Sequence, residues 1–544
     1  MLLLAFSCYS PGGDTPDRQP ADTARDSQPA DSADSADSAD SGPGHTGDTT
    51  DTHTETGVAE GIQLVSTDDA GLANIGLQVR SYTINRGYTT NDGELPKFHL
   101  VAEEGAFADG ASHPLLVWLH GGVIGIAGDE EEGTFCTWTP PKTFEGGGIP
   151  ALVDNAIYNH DHIFAMAAER GWAVMVPEST WCDLWQGRGA EDPVADDHMS
   201  LFHIEQILDG LEAGETELET DPSQVFAWGT SIGGLGVLPV SWGSRGDGAR
   251  FAGVVSDSGP VWMTDWVDNP TYTDILAHIL GDAPYDDKEQ PTDTWDTWAR
   301  VDAPLLMGEL GYRVPVFHTY NTYDGLTPVS HGDAMKSALV DHYGTSDRWF
   351  SYDLLHHAPG NDNHTQTQND RPPMSYTSAA AVEFLAGRSV SIYEAEATCD
   401  PGFCNLVNES DDEGYATYSQ GVATARDESQ GPGSLYRGLV PPTIPRGVAV
   451  DLMLVITGDD FTTHPESSAV LDIDLRVDGK PIWSRALLVG DLAWEADADV
   501  DQVLAHHAAT TISTVLPAGD IQLALEGHGR GSLWFDAVWV LTTD

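Results

Sequence analysis

A serine hydroxyl attacks a carbonyl carbon only with help: a base to take its proton, an acid to orient that base, and N–H donors for the charge that develops on oxygen. The segment Gly229-Thr230-Ser231-Ile232-Gly233-Gly234 presents such a serine between the apolar run Val225-Phe226-Ala227-Trp228 and a helix-like stretch. A strand–turn–helix context lifts the serine out of a sheet, and the glycines allow backbone to pass close by. An ordinary serine in a Gly-rich turn has the same local look, so the rest of the chain must supply the helpers. Upstream, Leu115-Leu116-Val117-Trp118-Leu119 ends in His120-Gly121-Gly122, whose glycines permit close approach to a carbonyl. Downstream, the run 314–318 leads into Asn321-Thr322-Tyr323-Asp324-Gly325-Leu326-Thr327-Pro328, which makes Asp324 the candidate acid. The run 349–354 leads into Leu355-His356-His357-Ala358-Pro359-Gly360-Asn361-Asp362-Asn363-His364, and one of these three histidines is the candidate base.

These residues need a scaffold that brings four strand ends to one edge. From about residue 61 to 390 short apolar runs alternate with helical patterns, which predicts a mainly parallel sheet covered by helices. The runs are 115–119, 173–176, 225–228, 251–255, 314–318 and 349–352, and helices are expected over His203 to Ala213, Gly332 to His342 and Ala379 to Leu385. After Gly387 the helical period gives way to alternating strands such as 448–455, 471–477 and 521–525, separated by turns such as Asp478-Gly479. Residues 391–544 are therefore predicted to be an all-β sandwich.

The order Ser231, Asp324, then histidine, with these turns, resembles the α/β-hydrolase superfamily over residues 61–390. Within it, Asp221-Pro222-Ser223-Gln224-Val225 running into the serine turn is similar to the esterase, feruloyl-esterase and polyhydroxybutyrate-depolymerase-like branch. The resemblance implies an α/β-hydrolase fold followed by a jelly-roll-like sandwich, and a serine ester hydrolase working through an acyl-enzyme. It implies backbone N–H donors at Gly122 and Ile232 as an oxyanion hole, although His120-Gly121-Gly122 continues into Val123 and lacks the third glycine of many lipases. Family members often place the histidine a short spacer after Pro-Gly, which implies His364 as base. His356 and His357 continue the alternation Phe350, Tyr352, Leu354 and stand as alternatives. A prolyl-oligopeptidase-type serine peptidase shares the triad, and a catalytically silent surface-binding lipoprotein is the reading from another class. Trp138, Trp181, Trp185, Trp262 and Trp266 fall between strands, where they pack a lid or core or form a platform for an acyl or sugar group. The histidines come without cysteine or His-Glu-x-x-His company, so no catalytic metal or other cofactor is expected.

Tyr393-Glu394-Ala395-Glu396 and Leu533-Trp534-Phe535-Asp536-Ala537-Val538-Trp539 resemble the first and last strands of jelly-roll carbohydrate-binding modules. That implies a glycan partner or a stabilising companion, and glutamates that can hold a structural calcium.

The 544 residues carry a formal charge of −62. Residues 1–60 contribute only −10 of it and the rest −52, so the acidity belongs to the folded part. Nucleic acid, whose binding rests on neutralising phosphates with Lys and Arg, is excluded as a partner. Cys8 closes the apolar run Leu2-Leu3-Leu4-Ala5-Phe6-Ser7 and resembles the acylated cysteine of bacterial lipoproteins; the run is short and no Lys or Arg precedes it, which an upstream start would remedy. Residues 1–8 then read as a signal remnant and 9–60, with Asp-Ser-Ala repeated from Asp31, as an acidic solvated tether. An exported protein follows, outer-membrane or cell-surface bound through its lipid alone, or extracellular. With Cys8 set aside, Cys136, Cys182, Cys399 and Cys404 split evenly between the two folded regions, which favours two disulfides over four buried thiols.

Overall fold

Consecutive side chains of 115–119 go to opposite sides of one sheet. Leu115, Val117 and Leu119 enter one apolar cluster, while Leu116 and Trp118 enter another. The same alternation divides Val225 and Ala227 from Phe226 and Trp228. Strands buried on both faces read as continuous apolar runs, and that is how the sequence shows them. The computed structural model describes most of residues 61–542. Residues 1–60, 69–75, 87–94, 122–161, 178–200, 244–249, most of 268–290, 354–373, 409–421, 460–463 and 492–505, with a few single positions, lie outside the described residues.

The sheet has nine strands: β1 (Gly61–Asp68), β2 (Leu77–Asn85), β3 (Lys97–Glu103), β4 (Ser112–Leu119), β5 (Ala173–Pro177), β6 (Glu219–Thr230), β7 (Phe251–Asp257), β8 (Val316–Tyr320) and β9 (Trp349–Asp353). Their order is β1-β2-β3-β5-β4-β6-β7-β8-β9. The first three pair antiparallel, and β3 is antiparallel to β5. From β5 onward the pairings are parallel. Helix α1 (162–169) places Ile163, Phe164 and Ala167 on one face of the sheet. Helices α2 (Leu201–Glu212) and α3 (Ile232–Trp242) place Ile204, Ile207, Leu235 and Leu238 on the other. Helix α4 (Val329–Tyr343) links β8 to β9, and α5 (Met374–Leu385) adds Ala380, Ala381 and Phe384 to the α1 side. A mixed, mainly parallel sheet with helices on both faces and a serine on a strand–turn–helix elbow is the α/β-hydrolase arrangement.

The C-terminal strands are β10 (Ser389–Glu394), β11 (Leu406–Asn408), β12 (Val422–Arg426), β13 (Gly433–Leu439), β14 (Ala449–Asp459), β15 (Ala469–Val477), β16 (Lys480–Leu488), β17 (His506–Val515), β18 (Ile521–Gly527) and β19 (Ser532–Thr542). They form a six-stranded and a four-stranded antiparallel sheet. The β15–β16 turn is the two-residue Asp478-Gly479, both at positive φ (50° and 73°), as a tight hairpin demands. Leu452, Leu454, Ile456 and Val540 of one sheet share a core with Ile473, Leu475 and Leu523 of the other. The opposite face of the six-stranded sheet, with Met453, Val455, Trp539 and Leu541, enters the α1–α5 core of the first sheet. Arg388 ties this junction, bonding Glu383 at 3.2 Å, Asp451 at 2.6 Å and the Leu541 carbonyl at 3.1 Å. Val58–Asp544 is accordingly one compact unit. Cys399 and Cys404 form a disulfide; Cys8, Cys136 and Cys182 lie outside the described residues.

Candidate active site

Strand β6 ends at Thr230 and α3 begins at Ile232, so one residue, Ser231, makes the whole turn. It does so at φ 54° and ψ −122°, a conformation that non-glycine residues rarely adopt and that tends to persist where the surroundings impose it. Here the surroundings are the neighbouring backbone. The Ser231 N–H donates to the Asp257 carbonyl at the end of β7 (2.8 Å), and the Ser231 carbonyl accepts the first helical bond from Leu235 N–H (3.1 Å). The N–H groups at the start of α3, Ile232 included, have no earlier turn to donate to and are available to an oxyanion. A Cβ on Gly233 would stand 2.1 Å from the Leu119 carbonyl oxygen, so only glycine lets the helix start this close to β4.

The turn after β4 lies beside the serine. A Cβ on Gly121 would lie 3.1 Å from Ser231 Cβ, so the backbone after β4 passes directly against the serine. His120 is buried and its Nδ1–H donates to the Gly121 carbonyl at 2.8 Å, holding that turn from within. Gly122 lies outside the described residues.

Asp324 follows β8 by four residues on the same edge of the sheet. Its N–H donates to the Asn321 carbonyl (3.0 Å), and its Oδ1 accepts the Thr327 N–H (2.9 Å). The Thr327 hydroxyl donates to the Ser258 carbonyl at 3.1 Å. Asp353, closing β9, accepts both the N–H (3.0 Å) and the hydroxyl (2.6 Å) of Thr322, so the loop after β8 is fastened on a second side. His356, His357 and His364 lie outside the described residues.

Sequence reading passed over several groups. Asp257 is fully buried beside the serine, and its Oδ1 accepts the hydroxyls of Thr319 (2.8 Å) and Ser258 (3.1 Å). His331, at the start of α4, is fully buried, and its Nδ1 accepts the Trp262 N–H at 3.2 Å. Burial pushes its imidazole down to about 4, against the opposing pull of the Pro260 carbonyl and the Asp324 charge. It is neutral at pH 7 and braces the segment after β7. Trp266 packs 4.7 Å from the His331 ring and is core, not a platform. Trp262 instead lines a cavity of about 710 Å³ along α4 with Met307, Ser330, Asp333 and Asp341. Trp138, Trp181 and Trp185 lie outside the described residues.

No protein-family model matches the chain, and no curated protein aligns with it significantly. Among solved structures it is similar to an S-formylglutathione hydrolase from Agrobacterium tumefaciens, with 14% identity and a TM-score of 0.39 over 60% of this chain and 99% of that one. A ferulic acid esterase is similar at 13% identity and a TM-score of 0.32, over 51% of this chain and 90% of that one. Oligopeptidase B from Leishmania major is similar at 14% identity and a TM-score of 0.35, over 57% of this chain; the match spans 36% of that longer peptidase. These three TM-scores lie below 0.5, and the fold is described from this chain's own strand order and elbow.

Proposed function

We propose that the chain is a serine carboxylic ester hydrolase. Ser231 attacks the ester carbonyl while His364, oriented by Asp324, takes its proton; the N–H groups of Gly122 and Ile232 receive the oxyanion. The alcohol leaves with that proton, and water, deprotonated by the same histidine, releases the acid from the acyl-enzyme. The observation that carries this reading is Ser231 at φ 54°, alone between β6 and α3, with Gly121 pressed against it. Acyl esters of polysaccharides and polyesters are the substrate classes proposed, and no catalytic metal or organic cofactor is required. A prolyl-oligopeptidase-type peptidase would use the same triad. Turnover of a p-nitrophenyl ester against a peptide anilide separates the two: the ester is expected to be cleaved at least tenfold faster, by about 1.4 kcal/mol of barrier or more, and the reverse preference would assign a peptidase.

The C-terminal strands are proposed as a jelly-roll companion of carbohydrate-binding-module type. Phe535 and Trp539 of the closing segment are fully buried, which favours a stabilising role for that segment over a glycan platform. For a structural calcium, Glu396 offers a buried carboxylate oxygen with no hydrogen-bond partner, and burial pushes its carboxyl up. Among the described residues no three His, Cys, Asp or Glu side chains converge, so beyond at most one further such side chain the ligands would be carbonyls and water. Acylation at Cys8, export, and residues 9–60 as a tether complete the proposal. Mass spectrometry of the native N-terminus tests that part, and an unmodified secreted form would remove it.

A further inference from the structure

We propose that Thr327 is a positioning residue, whose hydroxyl fixes the acid Asp324 to the strand ends that hold Ser231. The proposal rests on the serine-hydrolase reading above.

Among the described residues three non-glycines have positive φ: Ser231, Ser258 and Asp478. Asp478 belongs to a hairpin turn. The other two stand at the ends of adjacent strands β6 and β7, at φ 54° and 51°. Strained backbone persists where surrounding bonds over-determine it. At Ser258 those bonds are visible. Its N–H donates to the Thr319 carbonyl at 2.9 Å, its hydroxyl donates to Asp257 Oδ1 at 3.1 Å, and its carbonyl accepts the Thr327 hydroxyl at 3.1 Å. Asp257 in turn accepts the Ser231 N–H on its own carbonyl at 2.8 Å.

A short route therefore runs from nucleophile to acid: Ser231 N–H to Asp257, along the chain to Ser258, across to Thr327, and from the Thr327 N–H to Asp324 Oδ1 at 2.9 Å. Asp257, Ser258 and Thr327 are all buried, which shields these bonds from exchange with water. The two bonds of Thr327 do different things. Its N–H bond to Asp324, three residues back, is a local turn bond and moves with the loop. Its hydroxyl bond is the one that registers the loop against the elbow. Without it the carboxylate keeps its turn but not its distance from the serine. A misplacement of about 1 Å at a remote support is enough to cost on the order of a hundredfold in rate.

The experiment compares Thr327→Val, isosteric and with its N–H intact, against Thr327→Ser, which keeps a hydroxyl, in the full chain. Three quantities are read for each: the second-order rate of fluorophosphonate labelling, kcat and KM on p-nitrophenyl acetate, and Tm. Thr327→Val is expected to lower labelling and kcat about 10- to 100-fold with KM within about twofold, and Thr327→Ser to stay within about threefold of the parent. Should Thr327→Val not fold, Thr327→Ala removes the same hydroxyl and replaces it. A hydroxyl-less variant that is folded and as fast as the parent overturns the proposal. So does Thr327→Ser falling as far as Thr327→Val. A parent chain that is not labelled, or a Ser231→Ala chain labelled equally, brings down the hydrolase reading, and the role of Thr327 falls with it.

Discussion

The ring of Trp539 on β19 lies 5.3 Å from that of Tyr352 on β9, edge to face, and 5.9 Å from that of Phe350. The Tyr352 hydroxyl donates to Glu394 on β10 at 2.6 Å. Strand β9 precedes the segment with the three candidate histidines, so the C-terminal sheets support the end of the strand from which the proposed base departs.

Removing that support should be felt throughout. Trp539 is fully buried, and Trp539→Ala is expected to cost about 3–5 kcal/mol. Because its neighbours belong to a core shared by both regions, ester hydrolysis and the near-ultraviolet signal of the C-terminal strands should be lost in one transition. Two well-separated transitions, with the esterase unmoved, would show that the regions are energetically independent.

Acid should destabilise the fold through two histidines. Burial pushes both His318 and His331 down from 6.5 to about 4. The unfolded chain therefore binds more protons in that window, so stability is full above about pH 6.5 and is lost as pH falls toward 4. Each contributes on the order of 3 kcal/mol over the window. Denaturant unfolding from pH 7 to 4 should show the decline, and His318→Gln with His331→Gln should flatten it, provided the double variant folds. An unchanged slope in the double variant would place the decline on the many carboxylates instead.

Much of this site was legible in residue order. The runs 115–119, 225–228 and 251–255 became β4, β6 and β7 because strands buried on both faces need unbroken apolar sequence. The strands of 61–103 were missed: Leu77, Val79 and Tyr82 are buried, but Gln78, Arg80 and Ser81 interrupt them and no functional motif marks their ends. Asp257 and Ser258 were readable only as a turn after a strand. Their role depends on Thr319 and Thr327, more than sixty residues away, and spacing along a chain cannot announce such a pairing. Likewise, alternation in 448–455 showed one buried face, whereas Leu452 and Leu454 face one core and Met453 and Val455 another.

The base is decided by comparison. His364→Ala is expected to lower kcat by three orders of magnitude or more, as loss of one triad member does, while His356→Ala and His357→Ala remain active. Folding of each is checked by circular dichroism. Activity in His364→Ala with loss in one of the others would move the assignment to that residue.

Whether Ser231 is the nucleophile is read by its covalent capture with a fluorophosphonate, followed by peptide mass spectrometry. One adduct is expected, on the peptide containing Gly229-Thr230-Ser231-Ile232-Gly233-Gly234, formed in parallel with loss of ester hydrolysis. In Ser231→Ala the adduct should be absent and kcat lower by on the order of 10⁶. A folded Ser231→Ala chain that keeps more than about a tenth of the activity, or an adduct on another residue, would contradict it.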